Sequence, residues 1–421
     1  MRLPLKTILV STTARFTYLT SAADIGMAGM AAITTAIIAR QLSPDHFGIF
    51  IVVWTILTLL SGLLDLGIST GIVNFISRQS NINQQRHFIA TGFWFLLAIG
   101  FLVASLITII SAWLQAILFT NIPVQWIAFA AQAAVILMLA QYANNCLRAR
   151  LQFTQAAMAI LAFGILRLGL IITLALNFNL NLTNTLQVMC WSPLIYFFVG
   201  YSLLGWPLIF QRPQTYLLRQ LFQFSRWIGV SQLFSMLASR ADVLLLNRLA
   251  GATSAGLYGT AGLMVRIWIV LTSSLDSVFA PRLLRFGQPH QQRLFLQKIA
   301  LLTISLWLPI LGTAMLAKPL LILIFGSRYL PALPPFYWLT AAVAVLIATI
   351  PVTLPVIYLL KRPDVIARLA ILQLTITIFG NLFLVPLYGA SAPGMVMLVN
   401  HLIVFTICAW WTSRWWRSPQ T

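Results

Sequence analysis

The chain contains no glutamate, and six aspartates are its only acidic side chains against 26 lysines and arginines. Only 8% of its 421 residues are charged, where a soluble domain carries about a quarter. Missing glutamate removes one common source of general acids and bases. Cysteine is scarce: Cys146, Cys190 and Cys408 lie far apart without CxxC spacing, so neither a metal site nor a disulfide is expected. The four histidines are scattered with no HExxH, and no GxxxxGK[ST] stretch exists for nucleotide hydrolysis. One GxSxG match, "GISTG" at 67–71, falls inside an apolar run. A nucleophile elbow requires a strand–turn–helix context, so this match reads as chance. The N-terminal "MRLPLKTILVSTTAR" is basic and lacks a signal-peptide apolar core with a cleavage site. Extended polar sequence is missing too. The longest stretches, at 77–87, 211–226 and 281–293, are too short for a folded extramembrane domain. These absences argue for transport over chemistry, and no cofactor is expected.

What is present is apolar: 60% of the residues are hydrophobic. No soluble fold of this size disposes of that much apolar surface, and many runs approach the ~20 residues that cross a bilayer core. The expected class is an all-α polytopic membrane protein with about twelve transmembrane helices. Candidate spans are 16–38, 49–76, 88–113, 123–146, 156–178 and 186–209, then 227–247, 256–280, 299–317, 333–358, 365–386 and 391–412. This gives a six-helix bundle over 1–210, a cytoplasmic linker at 211–226 and a second six-helix bundle over 227–421.

Charge supports that count. With the N-terminus inside, the inner segments hold Arg2, Lys6, Arg15, Arg78, Arg86, Arg148 and Arg150, and the linker holds Arg212, Arg219 and Arg226. Later inner segments hold Arg282, Arg285, Arg293, Lys298, Lys361, Arg362, Arg368, Arg414 and Arg417. Outer loops hold only Arg40, Arg248, Lys318 and Arg328. Positive charge gathers on the cytoplasmic side, so both termini are placed in the cytoplasm. The net charge of +20 is thereby assigned to loops rather than to nucleic-acid binding.

Two stretches repeat half a chain apart. "ARQLSPDHFGIF" (39–50) and "NRLAGATSAGLY" (247–258) each carry Arg, Gly and an aromatic at matching places: Arg40, Gly48 and Phe50 against Arg248, Gly256 and Tyr258. Both fall in equivalent outer loops. Six spans per half makes the repeat parallel, with a pseudo-two-fold axis along the membrane normal.

Ionisable residues inside spans are costly and default to functional candidates. Arg240, Arg266 and Arg167 offer planar donor forks suited to phosphate oxygens, or else form structural ion pairs. Asp24, beside "GMAGMAA" (26–32), reads either as a proton or coupling-ion carboxylate or as a hydrogen-bonded interior residue. Gly26 and Gly29 would permit close helix approach there. Asp65 is expected to pair with an arginine from a neighbouring helix, and Asp276 to be structural. Pro351 and Pro355 in "IPVTLP" are expected to bend the tenth span, as a gate or a static wall.

"AIIARQLSPDHFGIF" followed by "LLSGLLDLGISTGIVNFISR" resembles the start of the bacterial lipid-linked oligosaccharide (O-antigen and polysaccharide) flippases, within the multidrug/oligosaccharidyl-lipid/polysaccharide flippase superfamily. "SRADVLLLNRLAGATSAGLYGTAGLMV" with "SVFAPRL" is similar to that family's seventh and eighth helices. "FGSRYLPALPPFYWL" and "NLFLVPLYGASAPGMVML" resemble its tenth- and twelfth-helix entrances. The resemblance implies two pseudo-symmetric bundles around a central cavity (a MATE-like fold) with alternating access. It implies transfer of a polyprenyl-pyrophosphate-linked oligosaccharide across the bacterial inner membrane, beside polysaccharide polymerase and glycosyltransferase partners and membrane lipids. Arg240, Arg266 and Arg167 are the positions that would meet the pyrophosphate or acidic sugars. Lipid II flippases favour a basic residue in the first helix, where this sequence has Asp24. That departure keeps a cation- or proton-coupled small-molecule exporter as an alternative. A membrane glycan ligase or polymerase is a third reading, which the short outer loops oppose.

Overall fold

A computed structural model describes residues 12–417 except 80, 120, 121, 178, 287 and 361. The described residues form helices joined by short turns, without a strand. Among the described residues, ten segments are long and apolar enough to cross a membrane. Two of these contain more than one crossing. The helical run Thr215–Arg285 breaks at Gly251, whose φ of 82° and ψ of 172° are non-helical. The segment Asp364–Arg417 is divided by a tight turn at Gly389–Ser391. Split at these glycines, the segments resolve into the expected twelve helices of a multi-pass membrane protein.

The chain forms two compact units. One comprises the described residues to Leu42 together with Ile49–Arg240; the other comprises Ser43–Gly48 and Ala241 onward. Residues 211–226, expected as a linker, are grouped with the first unit. The physical reason is that the linker is helical from Thr215 onward and runs unbroken into the next span. Its first turns pack on the first unit through small residues. A Cβ on Gly71 would strike the Ser225 hydroxyl, and one on Gly67 would stand 2.8 Å from the Gly229 nitrogen.

The expected span 49–76 is two helices, Pro44–Leu64 and Ile68–Arg78. The break is at Leu66 and Gly67, with φ of 49° and 76°. Asp65 sits at this break. Its carboxylate accepts hydrogen bonds from the Ser69 hydroxyl and the Ser69 backbone N–H. It caps a helix start inside the bundle instead of pairing with an arginine, because the broken backbone leaves donors that need an acceptor.

Lipid tails are as apolar as leucine, so burial alone does not hold such helices together; close packing and interhelical hydrogen bonds do. In the first unit Ile68, Ile72 and Ile76, spaced one helical turn apart, are fully buried with Tyr142 and Tyr201. The Tyr142 hydroxyl donates to Ile89 O at 2.8 Å, and the Tyr201 hydroxyl donates to Leu139 O at 3.1 Å. Around "GMAGMAA", only Gly26 is tight, with Leu161 3.3 Å from a would-be Cβ; Gly29 has nothing within 4 Å. The closer approach is at Gly164, where Met30 and Met27 would lie 2.5 and 2.8 Å from an added methyl.

In the second unit, the helix Leu333–Leu354 passes at Pro355 into a wider turn, Pro355–Leu359. Proline has no N–H to continue the ladder, and Leu360 N–H donates to Pro355 O, five residues back, at 2.9 Å. The expected distortion at Pro355 is therefore a π-helical turn.

The repeated motif also meets itself within this unit. A Cβ on Gly48 would clash with the Ala252 carbonyl, and one on Gly256 would lie 2.5 Å from Pro44 O. Thr253 donates its hydroxyl to Asp45, a partner 208 positions earlier. The offset between Pro44 and Ala252, and between Gly48 and Gly256, is the same, so equivalent positions contact each other reciprocally.

Candidate functional site

Arg167 lies on the helix Phe153–Leu176 and is 2% exposed. Its guanidinium carbon is 4.8 Å from the centre of the Phe163 ring and 5.6 Å from that of Trp54. Phe163 in turn stacks on Tyr196, with centroids 5.2 Å apart and planes 12° apart. The cation thus rests in an aromatic wall built from three helices. Ring faces stabilise a guanidinium electrostatically, by about 2 kcal/mol when desolvated, but do not neutralise it. Among the described residues it has no carboxylate partner, and its buried Nε makes no hydrogen bond.

Asp24 takes a different position. Its Oδ1 accepts from Arg148 Nη2 at 3.0 Å, and both side chains are partly exposed. Arg148 also donates through Nε to Asn144 Oδ1 at 3.0 Å, and Asn144 Nδ2 donates to Ala156 O at 2.8 Å. This chain of polar contacts ties the first helix to the helix Val124–Ala149 and to the start of Phe153–Leu176. Sequence reasoning assigned Arg148 to an inner loop and missed the pair, since no spacing links residues 124 positions apart.

Arg240 and Arg266 are both exposed on the protein surface. Arg240 is the last residue of the first unit and Arg266 belongs to the second. Arg240 is engaged by its surroundings. Arg266 forms no hydrogen bond or ion pair among the described residues. Asp242 is held by the Tyr258 hydroxyl, which donates to Oδ2 at 2.6 Å, and by Val243 N–H at 2.8 Å. Tyr258 is the aromatic of the repeated motif, a role that spacing alone did not indicate. No cluster of three or more His, Cys or acidic residues that could hold a metal occurs among the described residues.

Residues 37–334 match the family described as "Polysaccharide biosynthesis protein". No curated protein sequence matches the chain. Among solved structures, the chain is similar to the lipid II flippase MurJ in an inward closed conformation, with a TM-score of 0.72 and 11% identity, covering 94% of this chain and 87% of that one. An inward-facing multidrug resistance MATE family transporter of the MOP superfamily gives 0.65 and 12%, covering 91% and 93%. A single-site mutant of the Vibrio cholerae MATE transporter VcmN gives 0.58 and 13%, covering 96% of each. The architecture of twelve helices in two units is therefore the fold of these transporters, and the chain belongs to the polysaccharide biosynthesis protein family.

Proposed function

We propose that the protein is a flippase, not an enzyme, and that it moves a polyprenyl-pyrophosphate-linked oligosaccharide across the bacterial cytoplasmic membrane by alternating access. The observation that carries this reading is Arg167: a buried guanidinium on a membrane-spanning helix, with no acid to neutralise it among the described residues. Desolvating an unpaired charge costs several kcal/mol. A fold that retains it does so for an anionic ligand. A pyrophosphate supplies the missing charge and hydrogen-bond acceptors, while ring faces such as Trp54 suit the sugar or the lipid. Arg266 and Arg240 are kept as proposed cargo contacts, each described within its own unit. Family membership agrees with a polysaccharide precursor as cargo. The bias of basic residues toward one set of loops supports both termini lying inside, where glycosyltransferases build the precursor; a polymerase would receive it outside.

The test is Arg167→Leu in cells that depend on this chain for surface polysaccharide. Polysaccharide is expected to fall at least tenfold at normal protein level. Replacing an unpaired buried charge with an apolar side chain should also leave the purified protein's Tm unchanged or higher. Intact polysaccharide, or a variant that fails to accumulate, would remove Arg167 from the cargo path. The exporter alternative assigns Asp24 to ion coupling. Altered drug tolerance with intact glycans in a deletion strain would favour it.

A further inference from the structure

A cavity of about 430 Å³ lies at the end of the first unit where the chain leaves the helix Ile68–Arg78, enters Ile82–Ile109 and later returns as the linker. Its volume falls within the roughly 300–1,000 Å³ of small-molecule sites. Four carboxamides line it, from Gln79, Gln84, Gln214 and Gln220, together with the imidazole of His87 and the phenol of Tyr216. Phe75 and Phe88 also line it, and their rings stack with centroids 5.2 Å apart.

The walls are held in place. Gln79 donates its side-chain amide to Gln84, and Gln85 donates to Gln79 O at 2.6 Å. Gln214 N–H donates to Thr91 Oγ1 at 3.0 Å, and Trp94 Nε1 donates to Ile209 O at 2.9 Å, pinning the linker across the helix. Among the lining residues His87 Nδ1 and Gln214 Oε1 make no hydrogen bond, but both atoms are closed off from solvent. The polar groups a ligand reaches directly are those of the exposed Gln84, Tyr216 and Gln220.

The chemistry selects the ligand class. Among the described lining residues none is a lysine, arginine or aspartate, and carboxamides predominate. Carboxamides, imidazole and phenol both donate and accept, as sugar hydroxyls and acetamido groups do. The half-buried Phe75, stacked on the buried Phe88, gives the cavity an apolar side suited to the C–H groups of a pyranose. We propose that this cavity is a carbohydrate subsite for one or two neutral sugar residues of the lipid-linked oligosaccharide, separate from the arginine that meets the pyrophosphate. The proposal rests on the flippase reading for the source of the sugar, and on the cavity alone for its chemistry.

The test uses the full-length protein in nanodiscs and the phosphate-free repeat-unit oligosaccharide released by mild acid from the host's own surface polysaccharide. Isothermal titration or saturation-transfer NMR is expected to show saturable binding that uridine and inorganic pyrophosphate do not displace. Tyr216→Ala and Gln220→Ala, both at exposed positions, should each weaken binding at least tenfold and leave Tm unchanged. Arg167→Leu should leave it intact. No binding, equal binding in the Tyr216 and Gln220 variants, or displacement by uridine would overturn the subsite. Oligosaccharide binding together with undiminished polysaccharide in Arg167→Leu cells would overturn the pyrophosphate role and leave the subsite standing.

Discussion

At the scale of single residues, Asp24 and Arg167 show how differently two intramembrane charges can be handled. Asp24 is partly exposed and paired with Arg148 at 3.0 Å. Its loss should be mild if the pair serves only to join helices. Asp24→Asn, Arg148→Gln and the double variant are expected to lower Tm by similar amounts, with a coupling energy of about 0.5–3 kcal/mol in a double-mutant cycle. Surface polysaccharide should stay above half in all three. Abolition of polysaccharide by Asp24→Asn alone, with Arg148→Gln active, would instead assign the carboxylate to ion coupling. Both charges were visible in the sequence as charges inside apolar runs. Their partners were not. The carboxylate of Asp24 and the guanidinium of Arg148 meet only once the first helix packs on the Val124–Ala149 helix. Arg167 was placed among apolar neighbours by pattern, but the stack on Phe163 and Trp54 depends on tertiary packing.

At the scale of elements, the contact between the start of the Pro44–Leu64 helix and the residues after Gly251 is made by backbone. The atoms that would meet a side chain at Gly48 belong to the Ala252 carbonyl and Cα, so no rotamer change relieves the clash. Gly48→Val is expected to cost about 1–3 kcal/mol of overpacking, break the Asp45–Thr253 hydrogen bond and lower surface polysaccharide several-fold. Gly29→Ala, with open space around it, should match the unaltered protein in both Tm and polysaccharide. Equal behaviour of the two variants would remove any special role from the motif. The repeat itself was legible as Arg, Gly and aromatic at a fixed offset. That its two copies touch was not, because the same pattern would arise from two glycines that each pack locally. The break at Gly67 was hidden inside the apolar run 49–76, whereas the break at Gly251 falls in the outer loop expected between spans 227–247 and 256–280. Hydropathy sees no difference between a continuous helix and one interrupted by a residue of positive φ.

At the scale of the whole molecule, span number followed from composition because bilayer thickness fixes helix length. The proposed orientation rests on the loop charges and can be checked directly. The native cysteines are all buried, so labelling background is low. A membrane-impermeant maleimide applied to intact cells should label Asn181→Cys and spare Arg212→Cys until the membrane is permeabilised. The reverse pattern would invert the topology and place the carboxamide cavity outside. The limits of the two units were less legible than their number. A polar stretch such as 211–226 looks like a boundary, yet a helix that begins at Thr215 and continues to the break at Gly251 carries its first turns into the earlier unit.

The six residues Ser43–Gly48 that belong with the later unit impose an order on biosynthesis. Asp45 leaves the ribosome 208 positions ahead of Thr253. At the roughly 5–20 residues per second of translation, the early glycine face stays uncovered for about 10–40 seconds. During that interval the first hairpin is exposed to quality-control proteases and to other nascent chains. Slowing elongation ahead of codon 252 should lengthen this window and increase turnover of the unfinished polypeptide.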